Sequence, residues 1–136
     1  MPKPLRIQSF LANIPARLPE EIFETWLETP AFRLERILSR GHASPENTWY
    51  DQALDEWVML LKGRARLQME DEVGPIELQA GDALLIPAHC RHRVTWTDPE
   101  QDTVWLALHF KAGDNRHAAP VQPKATDGEP GPRLID

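Results

Sequence analysis

The 136-residue chain has the length of one domain and is short for two. Apolar residues make up 41%, and the seven glycines bring the total to about 46%, the range of ordinary globular sequences. Fifteen basic residues against 21 acidic ones, a net charge of −6, offer no phosphate-neutralising cluster and argue against a nucleic-acid partner, while a single cysteine, Cys90, excludes an internal disulfide.

The start of the chain, Met1-Pro2-Lys3-Pro4-Leu5-Arg6, lacks the apolar stretch of a signal peptide, and no run approaches the roughly 18 apolar residues of a membrane span, so a cytoplasmic protein without a membrane partner is expected. Residues 1–31 are expected to form an arm and a short helix. Within Leu18–Leu27 a proline comes early, Glu20 and Glu21 follow in the first turn, Ile22, Phe23, Trp26 and Leu27 make one apolar face, and Pro30 stops the element.

Over residues 32–110 the pattern changes to short apolar or alternating runs separated by turn chemistry, the mark of an all-β sandwich or barrel. Strands are expected at Arg33–Ser39, Glu56–Leu61, Arg64–Glu70, Pro75–Gln79, Ala83–Ile86, Arg91–Trp96 and Thr103–Phe110, punctuated by Gly63, Gly74, Gly81 and Asp98-Pro99. Arg64–Glu70 alternates cleanly, with Ala65, Leu67 and Met69 on the dry face. Trp57–Leu61 is continuously apolar, so its outer face needs a cover, from the N-terminal helix or from a second subunit. Residues 111–136 carry Pro120, Pro123, Pro130 and Pro132 among scattered charges and too little apolar surface to offset ordering entropy, and are expected to be a disordered tail.

Two spaced motifs stand inside the barrel region. Glu56 is followed after six residues by Gly63, and Gly81 is followed after five residues by Pro87, with His92 five positions further on. In this order, joined by one strand, turn and strand, the pair resembles the paired motifs of the cupin superfamily over roughly Leu34 to Phe110. The resemblance implies a jelly-roll barrel of six to eight strands, commonly a homodimer, with its site inside the barrel. Period-two alternation, read from the residues alone, puts His92, Val94 and Trp96 on one face of their strand and Glu56, Val58 and Leu60 on one face of theirs, so the carboxylate and the imidazole can converge inside.

Metal-binding cupins usually carry two histidines ahead of the glutamate. The corresponding positions are Trp49 and Asp51, or with a gap shorter by one residue Tyr50 and Gln52. The remaining donors, Asp51, Gln52, Glu56, His89 and His92, form an oxygen-rich set suited to a harder divalent ion than iron, copper, nickel or zinc. His89 stands where the family has glycine. Arg36 could meet a carboxylate if its strand phase turns it inward, and His42 could face the mouth from its loop. Cys90 reads as a small apolar residue, and His109 and His117 as strand surface and tail.

The resemblance therefore points to a small cupin with a divalent-metal site, acting on or binding a small polar metabolite. The alternative is a metal-free cupin in which Glu56 and His92 bind or sense a small molecule by hydrogen bonding. A third reading is an interaction protein that uses the apolar face of the Trp57 strand.

Overall fold

The computed structural model describes residues 4–111, so the Pro-rich segment read as a tail lies outside the described residues except for Lys111. Eight strands follow one another: β1 Ile22–Glu28, β2 Phe32–Ser39, β3 Asp55–Lys62, β4 Arg64–Met69, β5 Ile76–Gln79, β6 Ala83–Ile86, β7 His92–Thr97 and β8 Thr103–Phe110. They make a five-stranded sheet in the order β1-β2-β8-β3-β6 and a three-stranded sheet in the order β5-β4-β7. Every pairing within the two sheets is antiparallel.

The helix expected within Leu18–Leu27 is a strand, and no helix occurs among the described residues. Apolar residues at 22, 23, 26 and 27 satisfy a helical stripe, but Ile22, Phe23, Thr25 and Trp26 are β-branched or aromatic and suit a pleated surface better. As a strand, β1 pairs with β2 and sends Ile22 and Glu24 to one side and Phe23 and Thr25 to the other, until a register shift between Thr25 and Leu27 places Leu27 opposite Leu34.

The inner faces of the two sheets enclose the main core. Val58, Leu60, Ile86 and Trp105 from the larger sheet pack on Ala65, Leu67, Met69, Ile76 and Leu78 from the smaller one. A second cluster, Leu18, Leu38 and Val104 with Ile14, Ile22 and Leu61 against it, lies on the outer face of the larger sheet. The N-terminal arm thus covers the Leu61 end of β3 as an irregular segment rather than as a helix. Trp57 and Met59 stay half-buried.

Two irregularities set the positions of side chains around the site. Gly63, in the turn from β3 to β4, has φ +91°, and a Cβ there would stand 2.4 Å from Thr103 Oγ1 and 2.6 Å from Thr103 Cα, so the sharp turn requires glycine. In β7 the pairing with β4 slips by one residue, so Val94 faces Leu67 while Trp96 faces Arg66. The slip turns Trp96 outward, against the plain alternation, and lays the Arg66 guanidinium over its ring at 4.8 Å. Thr97 then takes the buried position opposite Ala65.

Candidate functional site

At one end of the barrel the inner face carries polar residues in place of the apolar core. Register places them. In the larger sheet Glu56 on β3 is directly opposite His109 on β8 and Ile86 on β6, and Glu35 on β2 is opposite Ala107. From the facing sheet His92 opens β7, held by a bridge to Tyr50 in which Tyr50 N–H donates to His92 O at 2.7 Å and His92 N–H donates to Tyr50 O at 3.1 Å. The buried Asp55 carboxylate accepts from Ala88 N–H at 2.7 Å, which ties the start of β3 to the loop ahead of β7. Glu56 and His92 follow directly from these two anchored ends.

Glu35, Tyr50, Glu56, Ile86, His92 and His109 line a cavity of about 80 Å³, roomy enough for several waters or a small ligand, together with Glu21, Phe23, Ile37, Gln52, Val58, Leu67, Val94 and Trp105. His92 Nε2 lies 3.7 Å from Glu56 Oε1, and His109 Nε2 lies 2.6 Å from Glu35 Oε1. The His92 Nδ1 is 2.9 Å from the Cys90 carbonyl, which fixes the proton on Nδ1 and leaves Nε2 as the acceptor facing the cavity. Glu56 is only 7% exposed, yet among the described residues its Oε1 has no hydrogen-bond partner, and neither has Gln52 Oε1.

The electrostatics follow from that burial. The Glu56 carboxyl is pushed up to about 7, first by desolvation and then by the Glu35 charge, against the pull of Arg33 and of a hydrogen bond with Gln52. Burial holds both His92 and His109 below the ordinary imidazole range, although the Cys90 carbonyl opposes it at His92 and the Glu35 carboxylate at His109. Burial also raises the Tyr50 phenol. The result is a carboxyl that exchanges its proton near neutrality beside two imidazoles held toward the neutral form, an arrangement able to give or take a proton from a bound molecule.

Of the residues singled out from the sequence, Gln52, Glu56 and His92 come together here. Asp51 and His89 do not join them. Their side chains pair with each other on the exposed rim, His89 Nδ1 to Asp51 Oδ1 at 2.7 Å, with His89 in the left-handed region at φ +62°. Arg36 meets a carboxylate, Glu24, but on the outer face. His42 accepts from Arg40 N–H through Nδ1 and takes the Thr97 hydroxyl on its carbonyl, so it caps a turn instead of facing the mouth. Burial raises the Cys90 thiol, in keeping with a packing role. His109, read as strand surface, is a wall of the cavity, and His117 lies outside the described residues.

Among the described residues no three His, Cys, Asp or Glu side chains are gathered as a metal site. With Asp51 and His89 turned to the rim and His109 Nε2 held on Glu35 Oε1 at 2.6 Å, Glu56 and His92 are the two such donors left to turn toward an ion among the described residues, where catalytic zinc draws three ligands from its protein. The residues present do not fit a transition-metal centre of that kind.

A family model described as the cupin domain matches residues 36–109, more than half of the chain. No curated protein matches it significantly. Among solved structures, a protein of Ralstonia eutropha JMP134 provisionally named a mannose-6-phosphate isomerase is 45% identical, with a TM-score of 0.77 over 79% of this chain and 100% of that one. A cupin superfamily protein of Desulfitobacterium hafniense DCB-2 is 19% identical, with a TM-score of 0.63 over 80% of this chain and 94% of that one. An RmlC-like cupin family protein with a double-stranded β-helix fold, from Methanocaldococcus jannaschii, is 15% identical, with a TM-score of 0.57 over 73% and 87%. The last two share the fold alone. With the Glu56 to Gly63 and Gly81 to His92 motifs now seen to build the two walls of one cavity, the chain is a member of the cupin family.

Proposed function

We propose that the barrel binds a small polar molecule directly, by hydrogen bonds and proton exchange with protein side chains, without a resident metal ion. The single observation that carries this reading is Glu56: a carboxyl more than nine-tenths buried, aimed into a cavity, with one oxygen left unpartnered. A buried polar atom without a partner costs free energy, and a ligand that donates to Glu56 Oε1 and Gln52 Oε1 recovers that cost on binding. His92 Nε2 supplies a further acceptor. Phe23, Tyr50 and Trp105 give the apolar and aromatic walls that shield a small ligand.

The 45% identical neighbour raises the question of an isomerase acting on a sugar phosphate. Against that substrate stands the lining itself, which among the described residues holds three carboxylates and no arginine or lysine to receive a phosphate. Incubation with mannose 6-phosphate is expected to give no turnover, and sustained turnover abolished by Glu56→Gln would reverse this view.

The test is a melting-temperature screen of the purified chain against a metabolite library, with and without a chelator, beside elemental analysis. A ligand that binds the folded state raises the melting temperature by mass action, and the chelator leaves the shift intact. Close to one divalent ion per chain, lost in His92→Ala, would instead support the metal-dependent reading in which Glu56, His92 and Gln52 hold the ion and the cupin acts on its substrate through it.

A further inference from the structure

We infer that the molecule received by the cavity is a small protonated amine, an inference that rests on the cavity being a binding site as proposed above. The argument is one of charge and of donors. Among the described residues Glu21, Glu35 and Glu56 all line the space, and no lysine or arginine does. Arg33, whose charge reaches Glu56, has its guanidinium 3.7 Å from Glu35 Oε1 and is more than a third exposed, so it borders the cavity without entering it. The two imidazoles do not offset the carboxylates, because burial disfavours their charged forms. An anion entering this space would lose its hydration and meet carboxylates, whereas a cation would be attracted.

The unpartnered atoms sharpen the class. Among the described residues Glu56 Oε1 and Gln52 Oε1 are buried acceptors without donors, beside one buried donor without an acceptor, Trp105 Nε1, and His92 Nε2 is a third acceptor on the facing wall. A carboxyl keeps acceptor capacity in either protonation state, so the demand for donors does not hinge on the charge of Glu56. A primary ammonium brings three N–H donors on one atom, which fits three acceptors converging from two sheets. The remaining walls are the rings of Phe23, Tyr50 and Trp105, surfaces that attract an organic cation through their π faces while accepting its hydrocarbon part. A hydrated metal ion would gain nothing from those rings.

The experiment uses the full chain, treated with a chelator, and four probes that differ in charge: butylammonium, 1-butanol, butyrate and mannose 6-phosphate. Affinities come from calorimetric titration, and the place of binding from chemical-shift changes at the Trp105 indole N–H and the His92 and His109 rings. Butylammonium is expected to bind at least about tenfold more tightly than 1-butanol or butyrate, as charge complementarity in a desolvated site implies, and mannose 6-phosphate not at all. Glu35→Gln, which keeps an oxygen for His109 Nε2, should weaken butylammonium at least about fivefold and 1-butanol by less than about twofold. Equal binding of 1-butanol and butylammonium at the same shifted resonances would overturn the amine while leaving the binding pocket intact. Tighter binding of butyrate or of the phosphate would overturn it likewise. Silence from all four probes would refute the amine, and silence of the wider metabolite screen as well would take the proposed function with it.

Discussion

Two buried polar clusters lie on opposite faces of the same five-stranded sheet, and they are built on opposite principles. On the outer face Arg36, 2% exposed, is saturated. Its Nε donates to Glu24 Oε1 at 2.6 Å, its Nη1 to the carbonyls of Phe10 and Ala12 at 3.1 and 2.6 Å, and its Nη2 to that of Asn13 at 3.4 Å. The Trp26 ring lies beneath the guanidinium at 4.9 Å and packs against the Phe10 ring at a tilt of 54°. On the inner face Glu56 is nearly as buried and keeps an oxygen with no partner. Completed hydrogen bonding marks the outer cluster as the clasp that holds the N-terminal arm on the barrel. The incomplete set inside is a cost to folding, and such costs gather where a protein meets a ligand.

The sharpest way to break this contrast is to remove each centre. Arg36→Met strands the Glu24 carboxylate and three carbonyls under the arm and is expected to lower unfolding free energy by about 3 kcal/mol, read from urea denaturation, with ligand binding at the cavity retained in the fraction that folds. Arg36 holds the Glu24 carboxyl below its ordinary range, so this stabilisation is present above pH 4.5 and fades as the pH falls through the lowered value.

Glu56 carries the opposite sign. The unfolded chain releases the proton near pH 4.5 and the folded chain holds it to about 7, so the folded state binds more protons in between and stability falls as the pH rises through that window. The full cost, reached above pH 7, is on the order of 3 kcal/mol, since one pKa unit is about 1.4 kcal/mol. Glu56→Gln keeps the shape and removes the ionisation. The variant is expected to match the parent at pH 4 and to exceed it by about 1 to 3 kcal/mol at pH 8. A variant less stable than the parent at pH 8 would show that the Glu56 carboxylate is satisfied in the fold after all.

A smaller effect separates the arm from the site. Phe10→Ala removes the ring that packs against Trp26 at 4.4 Å and should cost about 1 to 2 kcal/mol, with probe affinity at the cavity unchanged. Loss of both together would mean that the arm also shapes the mouth.

How far the sequence carried the reading depends on whether period two survives locally. Ala83–Ile86 and Thr103–Phe110 are strands at their expected bounds, and Glu56, Val58 and Leu60 share the inner face because β3 is regular where they sit. The alternation fails at Trp96, where a one-residue slip against β4 changes the phase, and no residue type announces the slip. It misleads at Ile22–Leu27, whose four apolar residues fit a helical stripe and a two-faced strand equally. His109 reads as strand surface because β8 is apolar on both faces, so the run Val104-Trp105-Leu106-Ala107-Leu108 does not say which face His109 takes. The signal that could have found it is the small Ala107 two residues earlier, an inward position where the barrel is narrow. Glu35 lies between Leu34 and Arg36 and faces the same ambiguity. Asp51 and His89 are loop residues with no period to orient them; family spacing points Asp51 toward the site, and nearness in sequence to His92 points His89 there.

The smallest expected effect concerns that pair. Asp51 and His89 touch each other at 2.7 Å, but their side chains are 48% and 69% exposed, so water competes for both and holding two mobile side chains together offsets the attraction. Asp51→Asn and His89→Ala are each expected to leave the melting temperature and the affinity for butylammonium within error of the parent. His89→Gly should do slightly better than His89→Ala, because glycine occupies φ +62° without the steric strain that a Cβ imposes. If instead Asp51→Asn weakens the probe as much as Glu35→Gln does, the rim belongs to the binding site, and the division between a satisfied outer clasp and an unsatisfied inner cavity has to be redrawn to include the mouth.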